Sequence, residues 1–108
     1  MDLRSTSHLA ETQAEKEALR AVYAYEEALA RKSGKRHRAN RTWQMIKRYG
    51  IIAAVERAVN RSQETQGYKS LAEIGMQDYS FEAVVLRYPD LFSSETISRA
   101  RERVESER

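Results

Sequence analysis

A chain of 108 residues, 12.5 kDa and net charge +3 is one domain at most, with room for a single modest core. Its 32% charged and 41% hydrophobic content suits amphipathic helices with solvated outer faces, and one Pro with four Gly leaves little of the turn chemistry an all-β fold needs. The absence of cysteine excludes disulfides, thiolate metal sites and cysteine nucleophiles, and it suits a reducing cytosol.

Residues 1–7 have no periodicity and read as a disordered arm ahead of one domain over 8–108. The opening MDLRSTSHLAET lacks the apolar run of a signal peptide, and no stretch approaches the roughly 18 apolar residues of a membrane span. The expectation is a cytoplasmic protein with no membrane partner.

From His8 to Ser33 the chain is rich in Ala, Glu, Gln, Lys and Leu, and a long helix is predicted there. Its apolar face runs Leu19, Val22, Tyr23, Leu29, Ala30 at helical spacing. Glu26 projects into that face, where a carboxylate needs a partner; an arginine of the following basic stretch is the expected one. Gly34 stands at the position past a helix end that glycine favours.

Residues 35–61, KRHRANRTWQMIKRYGIIAAVERAVNR, hold Lys35, Arg36, Arg38, Arg41, Lys47, Arg48, Arg57 and Arg61 against one acid, Glu56, a net charge of +7. Charge clustered in this way raises a local potential that attracts polyanions. The segment 35–39 reads as an exposed basic connection, and Asn40 as the cap of a helix from Arg41 to Tyr49 that stops at Gly50. Thr42, Met45, Ile46 and Tyr49 share one face of that helix. Arg41, Gln44 and Arg48 share the opposite one, with Lys47 beside the margin where Trp43 sits. The next segment, Ile51 to Asn60, is either a second helix, the favoured reading, or the continuation of one helix kinked at Gly50; it is expected to bury Ile51, Ile52, Val55, Ala58 and Val59 and to leave Ala53, Glu56, Arg57 and Asn60 outside.

A polar loop over 61–66 precedes a short helix, Gly67 to Met76, with Tyr68, Leu71 and Ala72 inward. Asp78 is placed to cap the helix Tyr79 to Tyr88, which is apolar on two sides and so is either the centre of the bundle or part of an interface. Pro89 ends it, and Ser93-Ser94 opens a last helix through 107 with a thin stripe at Ile97, Ala100 and Val104. Glu95/Arg99, Arg101/Glu105 and Arg103/Glu107 have surface i,i+4 spacing. The fold class expected is all-α, a small bundle of five or six helices with a long N-terminal one. A short-helix core over 40–92 would be centred on 79–88.

Three function classes compete. Sequence-independent binding of DNA or RNA, or of an acidic protein, would use Lys35, Arg36, Arg38, Arg41, Lys47, Arg48 and Arg57, because phosphate contact needs only cations within reach. Gln44 joins them as a polar group, and Trp43 is either a core or rim aromatic or a stacking platform for an unpaired base. A helix-turn-helix reading is weaker, since Glu56 falls where that motif buries an apolar side chain and would repel phosphate. The alternative is a protein-interaction or small inhibitor module acting through Tyr79, Leu86, Tyr88, Leu91 and Phe92; a homodimer would cover that surface equally well. An enzyme is disfavoured. His8 and His37 lie in the arm and the basic connection, and no Ser/His/Asp order, phosphate-cradling loop or HExxH occurs. Asp78 and Glu82, four apart, lack the further ligands a cation needs, Glu82 reading as a surface residue; no metal or cofactor is expected.

RTWQMIKRYGIIAAVERAVNR over 41–61, with GYKSLAEIGMQDYSFEAVVLRYPDLFS over 67–93, is similar to a group of small uncharacterised bacterial helical proteins. The similar portion covers roughly residues 12–104. The resemblance implies a bacterial, intracellular helical protein and supplies neither an activity nor a site residue.

Overall fold

The computed structural model describes residues 12–61 and 66–106. Those residues form six α-helices and two 3-10 turns, with no strand among them. The helices are α1 (Gln13–Ser33), α2 (Asn40–Tyr49), α3 (Ile51–Asn60), α4 (Gln66–Glu73), α5 (Phe81–Arg87) and α6 (Ser94–Ser106). The expected all-α bundle with a long first helix is what the chain adopts; the arm 1–7 and the helical start at 8–11 lie outside the described residues.

α1 begins at a capping box. The Thr12 hydroxyl accepts from the Glu15 amide at 3.1 Å, and the Glu15 carboxylate accepts from the Thr12 amide at 3.0 Å, so two orphan donors of the first turn are satisfied together. It ends at Gly34, whose φ of 76° is left-handed and whose N–H reaches the Ala30 carbonyl. Its buried face differs from the predicted one. Ala14, Ala18, Ala21, Val22, Ala24 and Ala28 are buried, Leu19, Leu29 and Ala30 sit at the margin, and Tyr23 is exposed. An alanine ridge lets neighbouring helices approach closely, and α3, α4 and α5 all pack on α1.

α2 and α3 are separate helices meeting at Gly50, whose φ of 94° and ψ of 165° lie in backbone space essentially restricted to glycine. α3 touches α1, α2, α5 and α6 and shares the centre of the bundle with α5. The expected centre at 79–88 is therefore only half of it. One cluster holds Val22, Trp43, Ile46, Ile51, Val55, Val59, Val84, Val85 and Phe92; a smaller one joins Ala24, Ala28 and Leu71.

Several local expectations are corrected. Asn40 is the first residue of α2 and does not cap it; Ala39 stands at the cap with no side-chain bond. Asp78 lies exposed in the 3-10 turn Gln77–Tyr79, which uses up the residues expected to start the next helix. Ser80 is the cap of α5, accepting from the Ala83 amide at 3.1 Å. The expected cap of α6 is present at Ser93, whose hydroxyl accepts from the Thr96 amide at 3.2 Å.

The largest correction concerns Glu82 and Arg103, both expected on the surface. Glu82 is 5% exposed and Arg103 8% exposed, and the Arg103 guanidinium donates from Nη1 to Glu82 Oε2 at 2.6 Å. Its Nη2 donates to the carbonyls of Val59 at 3.1 Å and Arg61 at 3.3 Å. One cation thus joins α6 to α5 and satisfies carbonyls at the end of α3, which otherwise lack intrahelical partners.

Removing one partner of a buried pair strands the other charge, typically a loss of about 3–5 kcal/mol. Glu82→Ala is expected to fall in that range by urea denaturation. Glu82→Leu combined with Arg103→Met should lose less than the single change, because no uncompensated ion remains. Equal losses would show that the cost comes from packing rather than from a stranded charge.

Candidate polyanion-binding groove

The basic connection is shaped by Ser33. Its hydroxyl accepts from the Lys35 amide at 3.1 Å and donates to the Lys35 carbonyl at 3.2 Å, and it lies 2.8 Å from His37 Nε2. Lys35, Arg36 and Arg38 emerge exposed. The chain is drawn back at Ala39. There Glu26 Oε2 accepts both the Ala39 amide and the Trp43 indole Nε1–H, each at 2.7 Å. The arginine expected to meet Glu26 is not what it holds. A carboxylate against the first turn of α2 also suits the positive end of the helix dipole.

That pairing fixes the roll of α2. Trp43 is 9% exposed, its indole N–H is committed to Glu26, and its ring lies 5.3 Å from that of Tyr23. It therefore offers no open face for a base, and the stacking role expected of it is corrected. Tyr49, expected inside, is 41% exposed. It follows Ile46 by three residues, but it ends α2 at the Gly50 break, where α3 begins.

Tyr49 sits in a groove of about 700 Å³ between α2 and α3. Arg41, Gln44 and Arg48 line it from α2, and Arg57, Asn60 and Arg61 from α3 and its end. The Arg57 guanidinium carbon is 3.7 Å from the Tyr49 ring centroid, and that of Arg48 is 5.7 Å away, so the ring face is held by cations. Of the residues singled out in the sequence, the groove brings together Arg41, Gln44, Arg48 and Arg57. Lys35, Arg36 and Lys47 do not line it, and Arg38 lines a different cavity. Tyr49 and Arg61 belong to the groove and were missed. The signal for Tyr49 was its place beside a helix-breaking glycine, which frees a side chain from the face its spacing assigns it.

Charge balance favours an outside partner. The ion pairs of Arg31 with Glu27, Lys32 with Glu73, Arg87 with Glu17, Arg99 with Glu95 and Arg103 with Glu82 use cations outside 35–57. Among the described residues, no acid pairs with Lys35, Arg36, Arg38, Lys47, Arg48 or Arg57.

Glu56 was expected to face outward and repel phosphate. It lines the groove, but its Oε2 accepts the Ser93 amide at 2.7 Å and the Thr96 hydroxyl at 2.8 Å, while Asn60 donates to that same hydroxyl at 2.8 Å. Both residues therefore dock α6 on α3. α1, α2, α5 and α6 all pack on α3, and Arg57 is its one fully exposed residue.

The apolar surface expected near 79–92 is discontinuous. Phe92 is buried in the core, Leu86 and Tyr88 are half-buried against it, and the Tyr88 hydroxyl donates to Glu17 at 2.7 Å. Tyr79 and Leu91 remain exposed, on two different 3-10 turns. No cluster of three or more His, Cys, Asp or Glu side chains is placed to hold a metal among the described residues. No helix among them is long and apolar enough to cross a membrane. Compared with family models, curated proteins and solved structures, the chain gave no match in any of the three.

Two carboxylates link the fold to pH. The Ser93 amide, helped by the Thr96 hydroxyl, outweighs burial and holds Glu56 below the ordinary carboxylate value. The Tyr88 hydroxyl, with Gln13 and Arg87, does the same for Glu17; the bond in turn raises Tyr88. A carboxyl whose folded value is depressed adds stability that is present above the unfolded value and lost as pH falls through the folded one. Stability is expected to decline on acidification from the ordinary carboxylate range, about pH 4, downward. Glu56→Gln should flatten part of that decline in urea midpoints measured against pH. An unchanged acid slope in the variant would contradict the assignment.

Proposed function

We propose that the chain is a non-enzymatic, sequence-independent nucleic-acid-binding protein that uses the groove between α2 and α3. The observation that carries this reading is the convergence of Arg41, Arg48, Arg57 and Arg61 on one groove around the exposed ring of Tyr49. Guanidinium groups are suited to phosphate, giving bidentate bonds and releasing counterions. Tyr49 carries the Arg57 guanidinium on its ring, and a guanidinium plane is itself a surface on which an unpaired base can stack, which points to single strands. Lys35, Arg36, Arg38 and Lys47 widen the positive field around the groove and would speed encounter rather than define a site. Glu56 leaves one negative charge in the groove wall, against the Arg48 and Arg57 guanidinium groups, which no acid holds among the described residues.

The reading separates backbone contact from base recognition. Asn60 has its amide on Thr96 and Arg57 lies over the Tyr49 ring, so both α3 groups suited to a base edge are already engaged. What remains is positive charge and one ring, and these bind without reading sequence.

Fluorescence anisotropy with a short mixed-sequence DNA strand tests this directly. Affinity should fall linearly on a log–log plot against salt, by about 0.7 in slope for each phosphate neutralised on a single strand. Arg48→Glu with Arg57→Glu should reduce that slope by about 1.4 and weaken low-salt binding at least about tenfold, with an unchanged circular dichroism spectrum. Salt-independent affinity, or wild-type affinity in the double variant, would overturn the proposal.

A further inference from the structure

We infer that a second cavity, bounded by α1, the start of α2, α3, α4 and α5, is a binding site for a small aromatic carboxylate. The cavity encloses about 370 Å³, within the roughly 300–1,000 Å³ span of small-molecule sites and far above the space of one buried water. It is distinct from the groove, and Arg41 borders both.

The chemistry of the ligand follows from the walls. Tyr25, Tyr68 and Phe81 line the cavity with aliphatic side chains between them, and such rings favour a flat aromatic body in offset or edge-to-face contact. The polar groups of the wall include Asn40, Arg41 and Thr42 at the start of α2. Ser80 and Glu82 also line the cavity, and both are already occupied. The Ser80 hydroxyl donates to the Gln77 carbonyl and accepts from the Ala83 amide, and Glu82 is neutralised by Arg103 at 2.6 Å. At another part of the wall stands Arg38, exposed and with no acid partner among the described residues. The cavity therefore combines aromatic and aliphatic walls with Arg38, a cation that no acid holds, at its edge. A neutral hydrocarbon would leave the guanidinium unused, a cation would be repelled by it, and a large polyanion could not enter. An aromatic ring system bearing one carboxylate satisfies both parts, with the acid on Arg38 and the rings among the tyrosines.

The probe is 2-naphthoate, with naphthalene-2-methanol as its uncharged counterpart, titrated into the methyl-labelled full chain. Saturable one-to-one shifts are expected at the methyl groups of Val22, Leu29 and Leu71, which line the cavity. The alcohol should bind about tenfold more weakly, and Arg38→Gln should bring naphthoate down to the alcohol's affinity. Leu29→Trp, at a half-buried position, fills the cavity and should abolish the shifts while helicity is retained. Arg48→Glu with Arg57→Glu, which disables the groove, should leave naphthoate binding unchanged, so the two sites stand or fall separately. Absence of saturable shifts at these methyls, equal affinity for acid and alcohol, or undiminished binding in Leu29→Trp would each overturn the inference.

Discussion

The arrangement of the basic stretch 35–61 depends on one carboxylate oxygen. Glu26 Oε2 takes the Ala39 amide and the Trp43 indole N–H at the same distance, 2.7 Å. The first bond ends the exposed connection at a fixed point on α1, and the second sets the rotation of α2 about its axis. A helix has one rotation for all its side chains, so turning Trp43 toward the core turns Arg41, Gln44 and Arg48 toward solvent. The cations are displayed because an acid on the opposite helix holds the aromatic residue between them.

The same device recurs through the bundle. Glu56 receives the Ser93 amide and the Thr96 hydroxyl and seats α6 on α3. Glu82 receives Arg103 and seats α6 on α5. Glu17 receives Arg87 and the Tyr88 hydroxyl and seats the end of α5 on α1. Hydrogen bonds to ionised groups are stronger than neutral ones, and they compensate the desolvation that burial imposes. The consequence for charge is a separation. These acids are spent on joints between helices, whereas most cations of 35–57 have no internal counterpart. A modest net charge of +3 therefore produces a locally cationic groove.

Much of the architecture was legible from periodicity and punctuation. Gly34 and Gly50 marked true helix ends, and the two-helix reading of 40–60 follows from Gly50 alone. Fold class came from composition and helical spacing. The errors share a physical cause: one-dimensional spacing ranks side chains by polarity, while burial depends on partners distant in sequence. Glu82 and Arg103 look like surface residues until 21 positions of separation are closed by packing. Glu56 and Asn60 look solvent-facing until α6 arrives with Thr96, which is fully buried. Alanine was undervalued on α1, because its use there is close approach rather than hydrophobic area. The cationic stretch was visible at once, but which of its members meet was not. Trp43 took the core place that was one of its two readings, and Tyr49 left the face its spacing gave it.

On this account the groove works through guanidinium charge and the Tyr49 ring, while Trp43 is a structural residue held on Glu26. The most direct test is a ¹H–¹⁵N spectrum of the chain during titration with a short DNA strand, following the Trp43 indole N–H beside the Nε–H signals of Arg48 and Arg57. The arginine signals should move and saturate together while the indole signal stays in place. An indole that shifts or broadens first, with the two arginines unmoved, would contradict the account.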